Sequence, residues 1–386
     1  MRICIVYDCL YPYTIGGGER WYRSLSERLA EDGHEVTYLT LRQWERGARG
    51  EIPGVDVVAV GPRMALYGDG RRLILPPLVF GAGVFAHLLR HGKRYDAVHT
   101  ASFPYFSLLA AALLRRRGLY RLVVDWLEVW SRGYWREYLG RLGGWVGWAV
   151  QSACMRVPQE AFCFSRLHAR RLLEYGFRGN LTVLKGMYAG MVNEGEPAQA
   201  DPVVVFAGRH IDEKRVPAIV SAVARARQRI PELRCELYGD GPQRAQVLRS
   251  IAELGLKDVV AAPGFVDAER VDAALRRALC LVLPSRREGY GLIVVEAASH
   301  GTPSVVVEAA DNAAVELIEE GVNGFVATSA SADDLAAAIA RIHRAGRALR
   351  VSTADWFRRN SARLSLSSSL DAVSAAYAGT ARAEGR

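Results

Sequence analysis

Two doubly wound α/β domains in series, each a parallel β-sheet with helices on both faces, are the fold this sequence predicts. Three observations carry that expectation. The chain has 386 residues, beyond the roughly 250–300 at which a single core stops growing, so two domains of about 150–200 residues are expected. Short apolar runs alternate with helical patterns along almost the whole length, and such alternation builds parallel sheets. The alternation breaks at a polar, Gly/Pro/Glu-containing stretch, residues 191–202, and then restarts.

The first domain is expected over residues 1–190. Ile3–Val6 is a short apolar strand, followed by the glycine-rich loop Gly16–Gly18. A helix over Glu19–Glu31 ends at Gly33, a residue type suited to the left-handed turn that closes helices. Strands are expected at Glu35–Thr40, Asp56–Val60, Asp96–Thr100, Arg121–Asp125, Ala161–Ser165 and Asn180–Leu184, with helices between most of them.

The second domain is expected over 203–364. Val203–Ala207 is a continuous apolar run, as a strand buried on both faces requires. Val216, Ile219, Val220 and Val223 then recur at helical spacing. Further strands are expected at Leu233–Tyr238, Asp258–Ala262, Cys280–Pro284 and Pro303–Val307. Trp356–Tyr377 reads as helix, and a terminal helix over about 365–386 is expected to pack back on the first domain. Ligands of open parallel sheets bind at the carboxyl ends of the strands. The expected site is therefore the cleft between the two domains, built from the loops that follow the strands.

Composition narrows the partners. The net charge of +9 and pI near 9.4 suit an anionic ligand such as a nucleotide sugar, an anionic lipid surface or a nucleic acid. The arginines run along the whole length, so a solvated Arg-rich surface explains the charge equally well. Six scattered cysteines form no Cys-x-x-Cys pair and are expected as buried thiols rather than disulfides or zinc ligands. There is no leader pattern, and no run approaches the roughly 18 apolar residues of a membrane span, so a cytoplasmic location is expected.

The strongest motif is P-S-R-R-E-G-Y-G-L-I-V-V-E-A, from Pro284 to Ala297. A strand ends at Pro284, Glu288 follows in a loop, and a helix is expected from about Gly289 to His300. Glu288 would then sit at the helix N-terminus and Glu296 about two turns on, both facing the cleft. Bare N–H groups and the positive dipole end suit phosphate oxygens, and acceptor-only carboxylates suit sugar and ribose hydroxyls. The plain alternative is an amphipathic helix with solvated glutamates. It does not explain a glutamate in a glycine-rich turn at the sheet edge, followed by another glutamate beside Ile293, Val294 and Val295. In F-A-G-R-H-I-D-E-K-R, from Phe206 to Arg215, Arg209 and Lys214 flank a short loop after a strand. Two fixed cations there can stabilise a leaving diphosphate without a metal.

These segments resemble glycosyltransferase family 4, the large GT-B family of retaining enzymes. The E-x7-E run matches at Glu288 and Glu296, and the G-R-x-x-x-x-K element at Arg209 and Lys214. Gly301-Thr302-Pro303-Ser304-Val305-Val306 and the block from Glu316 to Val326 agree as well. The resemblance implies two Rossmann-like domains facing each other across a cleft, and transfer of a sugar from a nucleotide diphosphate to a hydroxyl. It implies that Glu288 contacts the transferred sugar and Glu296 the ribose. The backbone amides of Gly289, Tyr290, Gly291 and Leu292 would lie near the diphosphate, held by Arg209 and Lys214. Gly17 and Gly18 match the loop that faces the diphosphate from the first domain, and Phe265 and Val266 the position that meets the nucleobase. Gly239-Asp240-Gly241-Pro242 resembles a structural turn. His99 stands on the acceptor side and is a candidate catalytic group.

The mechanism so implied is same-face substitution, in which the leaving phosphate helps deprotonate the acceptor. No D-x-D motif occurs, so neither a metal nor a cofactor is expected. The acceptor would be a polysaccharide, a lipid-linked sugar or a natural product, and nucleic acid is not an expected partner. Two other functions remain open at this point: a sugar-nucleotide-binding protein without turnover, and a GT-B nucleotide-sugar epimerase.

The first domain departs from the family pattern. Where relatives carry a histidine, this chain reads Asp125-Trp126-Leu127-Glu128, so Asp125, Glu128 and Trp130 are taken as acceptor-side candidates. L-K-G-M-Y stands where relatives show N-G-V-D. Five of eight tryptophans lie between Trp126 and Trp148, interleaved with Arg132, Arg136 and Arg141. This stretch suits a membrane interface at the inner membrane face, an aromatic acceptor pocket or a packing layer. Trp145 and Trp148 are expected to be packed and Trp130–Arg136 to face the acceptor.

Overall fold

The apolar runs form two parallel sheets in the computed structural model, which describes residues 1–45, 47–68, 71–192 and 194–381. Residue 193 of the expected linker and residues 382–386 of the expected terminal helix lie outside the described residues. The chain divides into two units, Met1–Lys185 with Ser369–Arg386, and Gly186–Ser368. Among the described residues, no helix is long and apolar enough to cross a membrane.

In unit 1 the elements are β1 (Arg2–Val6), α1 (Gly17–Glu31), β2 (Glu35–Leu41), β3 (Val55–Gly61), the hairpin β4 (Tyr67–Gly68) and β5 (Arg71–Arg72), and α2 (Leu75–His91). There follow β6 (Ala97–Ala101), α3 (Phe106–Gly118), β7 (Arg121–Trp126), α4 (Arg132–Met155), β8 (Glu160–Cys163), α5 (Arg166–Glu174) and β9 (Asn180–Val183). The sheet order is β3-β2-β1-β6-β7-β8-β9. Successive strand residues point to opposite faces. Cys4, Val6 and Val98 pack with Phe80, Val84 and Leu88 of α2, Leu108 and Leu114 of α3, and Cys154 and Met155 of α4. The opposite face, on which Ile5 stands beside its register partner His99, meets α1 and the terminal helix α11 (Leu366–Ala381). All six cysteines are buried free thiols.

Unit 2 runs β10 (Val203–Ala207), α6 (Val216–Ala226), β11 (Arg234–Tyr238), α7 (Arg244–Glu253), β12 (Val260–Gly264), α8 (Ala268–Arg277), β13 (Cys280–Leu283) and β14 (Arg287–Glu288). It continues through α9 (Leu292–Ser299), β15 (Ser304–Val307), β16 (Asp311–Asn312), β17 (Gly324–Ala327) and α10 (Ala332–Leu364). Its six-stranded order, β12-β11-β10-β13-β15-β17, is that of a doubly wound nucleotide-binding sheet. The chain winds outward from β10 in one direction and from β13 in the other. The switch point therefore lies between these two strands, which pair through Val204 with Cys280 and Val205 with Leu281. β17 is a strand that the apolar pattern did not predict.

Candidate functional site

At the carboxyl edge of unit 2, the switch-point strands deliver two loops side by side. After β10, Gly208 and Arg209 lead into a 3-10 turn at Asp212–Lys214, and Arg215, with φ 51°, turns the chain into α6. After β13, the buried Ser285 precedes Arg286, Arg287 and Glu288. The backbone joins the loops where Arg286 N donates to Glu213 O at 2.9 Å.

The side chains then pair in order. Arg286 Nη2 lies 3.4 Å from Asp212 Oδ2, Arg287 Nη2 lies 3.7 Å from Glu213 Oε1, and Lys214 Nζ donates to Glu288 Oε1. The tripeptides D-E-K and R-R-E are thus charge-complementary position by position. That was the signal in the sequence for Asp212, Glu213, Arg286 and Arg287, none of which the motif reading had placed in the site. The Asp212 side chain is largely exposed, so its pair contributes little, whereas the inner two pairs are mostly shielded from water.

Glu288 is fixed from the other side as well. It lies in β14, whose register partner is Asn312 of β16. Buried Asn312 donates through Nδ2 to Ser285 O at 3.1 Å and Val307 O at 2.8 Å, and accepts from Ala314 N. A side-chain amide so used acts as a rivet across the loop.

The helix begins later than the sequence suggested. Gly291, with φ 99°, is its N-cap, and α9 starts at Leu292 rather than Gly289. A Cβ at Gly291 would come within 2.6 Å of the Ala314 Cβ, so both the turn and the space require glycine. Glu296 consequently lies little more than one turn into α9. It shares the half-exposed face of Leu292 and Ile293, while Val294, Val295, Ala297 and Ala298 are buried. Its N-cap residue, a glycine, has no side chain to cap the first turn, and a helix start of this kind offers N–H groups to an anion. Tyr290 is buried, and burial pushes its phenol well above the usual range.

Neighbouring strand ends are packed backbone to backbone. Gly208 N donates to Tyr238 O and Gly239 N to Gly264 O. A Cβ at Gly239 (φ 119°) would come within 1.9 Å of Gly208 O. His210 is wholly buried beside Phe206, and burial lowers its pKa. Arg209 is exposed, Phe265 is exposed and Val266 half-buried, the last two at the end of β12.

Unit 1 holds the remaining candidates. His99 has no exposed surface: Nδ1 lies 3.1 Å from the Tyr377 hydroxyl, and Nε2 lies 2.9 Å from Asp125 Oδ1, out of hydrogen-bonding alignment. Asp125 is equally buried and accepts from Trp21 Nε1 at 2.7 Å. Trp130 Nε1 donates to Glu128 at 2.9 Å, and its ring packs among Phe103, Tyr134, Trp135 and Tyr138. At Gly18 a Cβ would come within 2.7 Å of the Tyr7 hydroxyl. Gly17 opens α1. Trp145 corrects the expectation of a packed residue: it is 67% exposed, because glycines occupy the inner side of its helix.

The family described as Glycosyl transferases group 1 matches residues 192–353, and that described as Glycosyl transferase 4-like domain matches residues 16–185. The chain is 28% identical to the MMP alpha-(1->4)-mannosyltransferase of Mycolicibacterium hassiacum, over 87% of this chain and 88% of that protein. It is 26% identical to the glycogen synthase of Mycobacterium tuberculosis over 92% of both. Alpha-D-kanosaminyltransferase and 2-deoxystreptamine glucosyltransferase of Streptomyces kanamyceticus are 30% and 36% identical, but the chain spans only 36% and 28% of their lengths. Among solved structures, sucrose-phosphate synthase from Thermosynechococcus elongatus matches with a TM-score of 0.80 at 19% identity, covering 99% of each chain. Anabaena HepE in complex with UDP matches at 0.73 and 17% identity, over 98% of this chain and 100% of that one. Such identities bear on the fold, whereas the family matches cover both units: the chain belongs to the GT-B glycosyltransferases of the family 4 type.

Proposed function

We propose that the chain moves a sugar from a nucleotide diphosphate to a hydroxyl acceptor with retention of configuration and without a metal. The observation that carries this is the pairing of Lys214 with Glu288 at the switch point, beside the start of α9, whose N-cap is a glycine. In the proposed reaction the bond between the anomeric carbon and the diphosphate oxygen breaks. Arg209 and Lys214 stabilise the charge that builds on that oxygen. The amides from Gly289 to Leu292 bind the diphosphate, Glu296 the ribose and Glu288 the sugar hydroxyls. Phe265 and Val266 meet the base, and Gly17 and Gly18 serve the diphosphate. The acceptor hydroxyl forms the new bond on the same face, and its proton passes to the departing phosphate.

Solved relatives in complex with UDP support a nucleotide-sugar donor. Glu128 and Trp130 are proposed for the acceptor, and peripheral attachment to a membrane is part of the proposal. Incubation with nucleotide-sugar and acceptor panels in EDTA, with the anomeric configuration of the product read by NMR, tests it. A product of inverted configuration would contradict retention. Donor binding without transfer to any acceptor class would favour a binding protein.

A further inference from the structure

The segment of unit 1 that carries α2, α3 and α4 has a net positive charge equal to that of the whole chain. Residues 71–158 contain thirteen Lys and Arg against four Asp and Glu, an excess of nine, and the full sequence has 50 against 41, also an excess of nine. The arginines are spread along the chain, but the net charge is not. Eleven of the 21 exposed large hydrophobics among the described residues fall within residues 73–146 of the same segment. Leu113, Leu119, Leu142 and Trp145 are each more than 60% exposed.

The cause is local. α4 breaks at Gly140, where φ is 74°, and the Arg132 guanidinium lies 4.8 Å from the Trp148 ring centre across the bend. Gly144 and Gly147 take the inner side of the second half. A Cβ at Gly144 would come within 2.6 Å of Arg136 Cα, and one at Gly147 within 2.3 Å of the Trp135 ring. With glycines inside, Leu142, Trp145 and Val146 stand outside. An ordinary surface helix does the reverse, burying its large apolar residues and exposing polar ones. Between Gly140 and Met155 the sequence carries one charge, Arg141.

We propose that this face rests on an anionic membrane surface, with Leu142 and Trp145 entering the headgroup region and Arg132, Arg136 and Arg141 meeting lipid phosphates. Trp and Leu beside Arg is the composition of helices that lie in a membrane interface, and a local positive excess is what an anionic leaflet attracts. The inference rests on the peripheral attachment proposed above and names the surface that makes it.

The test is flotation of the full chain with phosphatidylcholine vesicles, with and without phosphatidylglycerol, alongside melting curves. Wild type should float with the anionic vesicles only. Arg136→Gln with Arg141→Gln should lower partitioning about 25-fold, about fivefold for each basic residue at the surface. Trp145→Ala should weaken it at an unchanged melting temperature, while Leu248→Ala with Leu254→Ala in unit 2 should change nothing. Should Trp145→Ala fail to fold, the arginine variant decides. If wild type ignores anionic vesicles, peripheral attachment itself falls. If wild type floats and both variants float equally well, the attachment stands and this surface is wrong. A dimer that ignores vesicles and dissociates on Trp145→Ala would make the face an interface between copies, and would overturn the proposal.

Discussion

Lys214 and Glu288, 74 residues apart in sequence, form an ion pair in which the ammonium donates to Glu288 Oε1. The cation proposed for the diphosphate is thereby neutralised by the carboxylate proposed for the sugar. Glu288→Gln removes a negative charge while keeping the shape of the side chain. Transfer should fall about 100-fold, the scale on which losing one positioning contact acts. Nucleoside diphosphate affinity should instead rise at least fivefold, because a unit charge about 4 Å away is worth about 1 kcal/mol even in bulk water and more near a protein surface. Calorimetry beside steady-state rates separates the two effects. Weaker binding in this variant would show that Glu288 does not oppose the diphosphate.

Glu213 and Arg287 sit one position before that pair, both mostly shielded from water. Glu213→Arg places like charges together and should lower nucleotide affinity and melting temperature. The exchange Glu213→Arg with Arg287→Glu should recover much of both losses. A coupling of about 0.5–3 kcal/mol is expected for residues in one ion-pair network. Simple additivity across the double-mutant cycle would mean that the loops are not held together through this pair.

His99 is sealed between Asp125 and Tyr377, so its substitution is expected to act on the fold. Tyr377→Phe removes one side of a buried hydrogen bond, at a cost of about 1–3 kcal/mol. Amide exchange in α11 should quicken accordingly. His99→Gln should lower the melting temperature while transfer per folded molecule stays within a few-fold. A loss of about 100-fold at an unchanged melting temperature would make His99 catalytic instead.

Much of this architecture is legible in the chain because buried parallel strands read as continuous apolar runs. Val203–Ala207 and Cys280–Leu283 could be bounded from composition. β17 could not: it is four residues long and opens with Gly324. The start of α9 was misplaced because only the backbone shows that Gly291 is left-handed and excludes a helical turn before it. Motif spacing singled out Lys214 and Glu288 separately, but their contact depends on β10 lying beside β13, which is a property of topology. The outward turn of Trp145 was hidden because the inner positions are filled by glycines, which no hydrophobic pattern marks as a buried face.

His87 of α2 offers a pH test of unit 1. Burial, with a further contribution from the positive charge of His91, lowers its pKa from the ordinary 6.5 to about 4. Its Nε2 lies 2.8 Å from the Tyr95 hydroxyl. The unfolded chain therefore binds this proton more readily than the folded one between those two values. Stability from the neutral ring is present above pH 6.5 and is lost as pH falls towards 4, by about 1–2 kcal/mol after allowing for partial exposure. Chemical denaturation across this window should show the loss, and His87→Gln should flatten it. An equal slope in the variant would assign the loss to other groups.

Titration of UDP, GDP, ADP and dTDP into the full chain in EDTA, repeated with Lys214→Ala and Arg209→Ala, tests the proposed metal-free diphosphate site most directly. One nucleotide is predicted to bind wild type without added metal and to bind each variant at least tenfold more weakly, the loss of a charge-assisted contact of about 1.5–3 kcal/mol. Absence of binding until Mg²⁺ or Mn²⁺ is restored, or equal binding by Lys214→Ala, would contradict it.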